Sequence, residues 1–111
     1  MISNHPTETP LFLYMAYQAP HSPITTPPQQ YLQQYADKGL HQGPSNVSRE
    51  KRERFGTISA IDQGMGRIVE ALKAAGLYNN SVIVFSTDNG GPKFGLRGLT
   101  NLPLRGGKEE L

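Results

Sequence analysis

Cysteine is absent from the 111-residue sequence, so there is no disulfide framework and no thiolate metal site. No run approaches the roughly 18 consecutive apolar residues that a membrane-spanning helix needs. The opening residues, Met1-Ile2-Ser3-Asn4-His5-Pro6, lack the basic and apolar regions of a secretory signal peptide. An export signal, if the protein has one, lies outside this sequence. Excess charge of one sign is also missing. The formal net charge is +2, both signs are dispersed, and no basic stripe is interleaved with aromatics, which excludes a nucleic-acid footprint. With 36% hydrophobic residues and a mean hydropathy of −0.49, the chain is at most one domain, or part of one, with a modest core.

The most informative stretch runs from Val82 to Gly91: Val82-Ile83-Val84-Phe85-Ser86-Thr87-Asp88-Asn89-Gly90-Gly91. Its short apolar start, rich in β-branched residues, predicts a strand buried on both faces. Asp-Asn-Gly-Gly cannot continue such a strand and predicts a turn at its carboxyl end, the edge where open α/β sheets bind ligands. Asp88 and Asn89 offer hard oxygen atoms of the kind that hold Ca²⁺ or Mg²⁺, although the dipeptide by itself also reads as an ordinary turn.

A second buried strand is expected at Leu11-Phe12-Leu13-Tyr14-Met15-Ala16-Tyr17, after an extended lead-in over residues 1–10. It runs into Gln18-Ala19-Pro20-His21-Ser22-Pro23, where the prolines are expected to hold the backbone extended on both sides of His21. His21 reads locally either as a substrate contact or as an exposed loop histidine. Residues 27–36 predict a short helix with proline in its first turn, its Tyr31, Leu32 and Tyr35 at packing spacing. Residues 39–48 read as loop. Arg49 to Ala75 predict a long helix capped by Ser48 and stopped by Gly76, with one apolar face made by Phe55, Ile58, Ile61, Met65, Ile68 and Leu72. Its charged start, Arg49-Glu50-Lys51-Arg52-Glu53-Arg54, reads as a solvated face. Gly64 and Gly66 weaken the helix by roughly 1 kcal/mol each relative to alanine; close approach of the helix to the sheet would account for them. Asn46-Val47-Ser48 and Asn79-Asn80-Ser81 fit the glycosylation pattern.

Strand, helix, strand in this order implies a right-handed βαβ crossover with parallel strands. Sixty-seven positions separate His21 from Asp88, yet parallel strands bring their carboxyl ends, and hence these two residues, to one sheet edge. The Pro92-to-Leu99 stretch reads as a surface loop. Pro103-Leu104-Arg105-Gly106-Gly107-Lys108 sets cations among glycines, either as a solvated loop or as a flexible segment that lets Lys108 approach an anion.

Three stretches together resemble the sulfatase family, most closely its arylsulfatase B-like branch: residues 10–14 through Ala19-Pro20-His21-Ser22-Pro23, Val82 through Gly91, and Pro103 through Lys108. The helix segment Ile61-Asp62-Gln63-Gly64-Met65-Gly66-Arg67-Ile68 is similar to that family as well. The resemblance implies a partial parallel-sheet βαβ portion of an alkaline-phosphatase-like α/β fold and hydrolysis of sulfate esters. It implies a Ca²⁺ site in which Asp88 and Asn89 are metal ligands. His21 would contact the sulfate or help protonate the leaving oxygen, and Lys108 would bind sulfate oxygens. The family nucleophile, a formylglycine made within Cys/Ser-x-Pro-x-Arg, has no counterpart here. The nearest spacing match is Asn101-Leu102-Pro103-Leu104-Arg105, and asparagine cannot be converted. Residues 1–111 are therefore expected to be one internal piece of a sulfatase catalytic domain, lacking the amino-terminal nucleophile region and inactive alone. Its substrate would be a sulfated small molecule or sulfated glycan, and its location the secretory pathway, lysosome or extracellular space. A phosphoester or phosphonate hydrolase of the same superfamily and a non-catalytic Ca²⁺- or anion-binding protein are the alternatives.

Overall fold

The computed structural model describes residues 1–36, 38, 45–92, 101 and 103–110, without the side chains of 45–48. Of the loops expected over residues 39–48 and 92–99, residues 39–44 and 93–99 lie outside the described residues.

One long helix organises the chain. Helix α1 spans Gln29–Gln33 and helix α2 spans Ser45–Ala74, with 3₁₀ turns at Ile2–Asn4 and Tyr78–Asn80. Helix α2 begins at Ser45, earlier than its sequence pattern suggests, so residues 45–48 are helical and Ser48 is an interior position. At the other end, Leu77 N–H donates to Leu72 O at 2.9 Å and Gly76 N–H to Lys73 O at 3.0 Å. This is a Schellman closure, and the φ of +72° at Gly76 is a backbone conformation that glycine adopts without a Cβ penalty.

Helix α1 and the turn that follows it pack on α2 through the residues their spacing singled out. The Tyr35 and Phe55 rings lie 5.5 Å apart, the Tyr35 hydroxyl bonds Ser59 Oγ at 2.6 Å, and the Tyr31 hydroxyl donates to Gln63 Oε1. The two tyrosines are packing groups. Pro27 and Leu32 press on Gly56, where an added Cβ would stand 2.7 Å from Pro27 Cγ and 3.3 Å from Leu32 Cδ2. Tyr17 packs over Gly64, with its hydroxyl 2.6 Å from where a Cβ would be, which accounts for one of the two interior glycines. Nothing lies within 4 Å of the corresponding position at Gly66.

These differences set opposite signs for one substitution. Gly66→Ala is expected to stabilise the chain by about 1 kcal/mol, the helix-propensity gain alone. Gly56→Ala meets a rigid proline ring, and overpacking of about 1–3 kcal/mol offsets or exceeds that gain. Thermal unfolding of the two variants followed by circular dichroism checks this: the midpoint should rise for Gly66→Ala and should fall or stay unchanged for Gly56→Ala.

The expected strands differ from what is observed. Residues 11–17 and 82–85 belong to no ladder, and no strand occurs among the described residues. Phe12 is 90% exposed and Val82 92%. The apolar face of α2 is likewise covered only in part: Leu72 is buried, whereas Phe55 and Ile58 are exposed. The physical reason is common to both. Parallel strands buried on two faces need neighbours in the sheet and a covering layer, and two short segments cannot provide them for each other. The radius of gyration, 17.4 Å, exceeds the roughly 13 Å of a compact chain of about this length. No helix among the described residues is long and apolar enough to cross a membrane.

Candidate active site

His21 sits in a tight turn, not in extended backbone. Its N–H donates to Gln18 O at 3.0 Å, and the Ala19–Pro20 and Ser22–Pro23 peptides on either side of it are cis. The His21 ring is fixed by its own loop, with Nδ1 2.7 Å from Ser22 O. A carbonyl oxygen can only accept, so Nδ1 carries a proton and Nε2 is the atom left to face the site.

Lys108 faces it. Its Nζ stands 3.4 Å from His21 Nε2, across 87 positions of sequence. The segment carrying the lysine is anchored, contrary to the flexible glycine setting expected from its sequence. Asn101 makes two bonds to Gly91: its Oδ1 accepts from Gly91 N–H at 2.8 Å, and its Nδ2 donates to Gly91 O at 2.9 Å. Lys108 N–H donates to the same Gly91 O at 2.9 Å. Gly106, at φ +76°, turns the chain between these two anchors. Gly90 lies under them, with 3.0 Å from its ideal Cβ to Asn101 Oδ1 and 3.4 Å to Gly107 Cα, so a side chain there would push the two segments apart.

Asp88 and Asn89 immediately precede this clasp. Asp88 Oδ1 accepts from Asn89 N–H at 2.9 Å, and Asn89 Nδ2 donates to Gly90 O at 2.6 Å. The amide nitrogen of Asn89 is thus committed, which leaves its oxygen as the acceptor. Asp88 keeps a second carboxylate oxygen. Both side chains are exposed. As a donor set these two oxygens fit part of a shell for a hard divalent cation, which takes six or more oxygen ligands. No cluster of three or more His, Cys, Asp or Glu suited to a metal occurs among the described residues.

The structure therefore brings His21 and Lys108 together and ties Lys108 to the Asp88-to-Gly91 turn through Gly91. It records no direct contact between His21 and Asp88 or Asn89. Two residues of this region were not singled out by sequence. Asn101 matters through its amide, which pairs with a backbone group much as a neighbouring strand would; an isolated asparagine carries no sequence signal for that. Arg54 was read as part of a solvated face, but it is buried, with its guanidinium bonded to Pro20 O at 3.1 Å, to Ser22 Oγ at 3.2 Å and to Glu50 at 3.0 Å.

The Sulfatase family profile matches residues 1–111. The chain is 38% identical over 108 residues to arylsulfatase J of Mus musculus, covering 97% of this chain and 16% of that protein. It is 37% identical over 84 residues to the uncharacterized sulfatase YdeN of Escherichia coli, covering 75% and 13%. To the N-acetylgalactosamine-6-sulfatase of Rattus norvegicus it is 29% identical over 89 residues, covering 79% and 14%. It thus spans less than a fifth of the length of each of these relatives. No solved structure matches the chain. With the whole sequence matched by the family profile and a relative 38% identical over 97% of this chain's length, the chain belongs to the sulfatase family.

Proposed function

We propose that residues 1–111 form an internal part of a sulfatase catalytic domain, the part that supplies the sulfate-binding and leaving-group side of the site. The complete enzyme hydrolyses a sulfate ester. The observation that carries this reading is the approach of Lys108 Nζ to His21 Nε2, fastened through Gly91 to the turn that holds Asp88 and Asn89. Family membership implies an α/β, alkaline-phosphatase-like fold; within it, residues 11–17 and 82–85 are the strands of a parallel βαβ unit whose neighbours and cover come from elsewhere in the domain.

Each residue has a role that its chemistry fits. The Lys108 ammonium is a compact charge suited to the oxygens of a sulfuryl group, where negative charge is spread over several atoms. In the neutral ring, His21 Nε2 accepts from Lys108; when protonated, the same nitrogen donates to the ester oxygen as it leaves. Ser22 O holds Nδ1, which supports a proton-moving role for Nε2. Asp88 and Asn89 contribute two oxygens to a Ca²⁺ site, and a dication held there would polarise the sulfuryl oxygens. The formylglycine nucleophile comes from outside this sequence, and the 111-residue chain alone is inactive.

The substrate is a sulfated small molecule or glycan; the relatives' names include both an arylsulfatase and an amino-sugar 6-sulfatase. Routing through the secretory pathway is consistent with Asn79, an exposed residue of a glycosylation triplet in a 3₁₀ turn. The reaction class is tested by giving the complete enzyme an aryl sulfate and the aryl phosphate with the same leaving group. The sulfate should have the higher kcat/KM. A preference for the phosphate would favour the phosphoester hydrolase reading, and Ca²⁺ or sulfate binding without turnover of either would favour a non-catalytic protein.

A further inference from the structure

We propose that Arg54 is a positioning residue for His21, the residue through which helix α2 sets the place of the site histidine. This rests on the role given to His21 above. A sequence of alternating charges at the start of a long helix ordinarily faces water, and Arg54 does not. Its side chain is 11% exposed and turned onto the histidine loop. Nη1 donates to Pro20 O at 3.1 Å and Nη2 to Ser22 Oγ at 3.2 Å, so the guanidinium holds the residue before His21 and the residue after it. Glu50, one turn earlier on α2, takes Nη2 at 3.0 Å and aims the fork while neutralising its charge.

The consequences reach the ring. Ser22, held by its hydroxyl, presents its carbonyl to His21 Nδ1 at 2.7 Å, while the His21 N–H closes on Gln18 O at 3.0 Å. Backbone and imidazole are therefore fixed together, and in that placement Nε2 lies 3.4 Å from Lys108 Nζ. A planar fork spans two acceptors at once; a lysine ammonium in its place would hold one acceptor well and the other poorly. Because a displacement of about 1 Å costs on the order of a hundredfold in rate, a residue that never touches substrate can matter this much.

The test is a double-mutant cycle in the complete enzyme, with kcat, KM and thermal midpoint measured on an aryl sulfate. Arg54→Gln should lower kcat about 10- to 100-fold with a smaller change in KM, and Arg54→Lys should recover part of the loss. In a His21→Ala background, Arg54→Gln should change kcat by less than about twofold, because its effect passes through the missing ring. A loss of the same size in both backgrounds, or near-normal turnover of Arg54→Gln where His21→Ala is impaired, overturns the assignment. Full activity of His21→Ala instead overturns the role given to His21 itself, a separate failure. Should Arg54→Gln fail to fold, Ser22→Ala removes one arm of the fork while leaving α2 intact. The same cycle applies to it, with a loss that vanishes in the His21→Ala background supporting the assignment and an additive one overturning it.

Discussion

Lys108→Ala in the complete enzyme is expected to lower kcat/KM for a sulfate ester by about a hundredfold or more while the thermal midpoint barely moves. The two halves of this result come from different parts of the residue. Folding depends on its backbone, whose N–H bonds Gly91 O at 2.9 Å and is untouched by the substitution. The side chain, half-buried, contributes one long contact, 3.4 Å to His21 Nε2. Its loss should change stability by no more than about 0.5 kcal/mol. The proposed role in catalysis rests on the ammonium. A cation fixed where charge develops contributes a few kcal/mol to the transition state, and about 1.4 kcal/mol is a factor of ten in rate. Lys108→Arg should recover only part, since a planar guanidinium does not occupy the place of a compact ammonium. Measuring kcat/KM and melting temperature on the same preparations decides it: near-normal turnover of Lys108→Ala would remove the lysine from the site.

Asp88→Ala is expected to act through the metal. Asp88 is one of two adjacent oxygen donors, and a hard dication gains much of its affinity from charged ligands. Removing a group that merely supports a ligand costs roughly 10–100-fold in metal affinity, so removing a ligand should cost at least that. The carboxylate also has a structural task, since Oδ1 accepts from Asn89 N–H at 2.9 Å. Asp88→Asn separates the two: its amide oxygen can still close the turn, but the charge is gone. Both variants should bind Ca²⁺ more weakly by calorimetric titration and regain activity in part at high Ca²⁺, with Asp88→Asn the less impaired. Unchanged Ca²⁺ affinity alongside lost activity would give Asp88 a direct part in the reaction.

The division between sequence and tertiary structure follows from the range of the forces involved. Local signals were legible. The 3.6-residue period and Gly76 marked helix α2 and its end, because helix hydrogen bonds and the Schellman closure join residues only a few positions apart. Tyr31 and Tyr35 were legible as packing groups from their helical spacing, although the partners they meet on α2 lie 20 or more positions away. The sequence also singled out His21 and Lys108, which lie 3.4 Å apart in the fold, and Asp88 and Asn89, whose part in a metal site is a proposal.

Pairing of segments was not. Val82 to Phe85 has the composition of a buried strand, but composition states a preference for neighbours and cannot supply them, and here the segment is exposed. Arg54 is the converse case. Its charged surroundings in sequence suggest water, and only the fold turns it inward to the carbonyl of Pro20 and the hydroxyl of Ser22. The meeting of Lys108 with His21 likewise depends on Asn101 and Gly91 closing a clasp between distant segments. The sequence by itself determined the family, the long helix and the chemistry of the candidate residues, since each is written in residue type and short spacing. Only the tertiary structure decided which side chains face one another and which group bonds the residues on either side of the histidine, because long-range contacts depend on where every intervening segment goes.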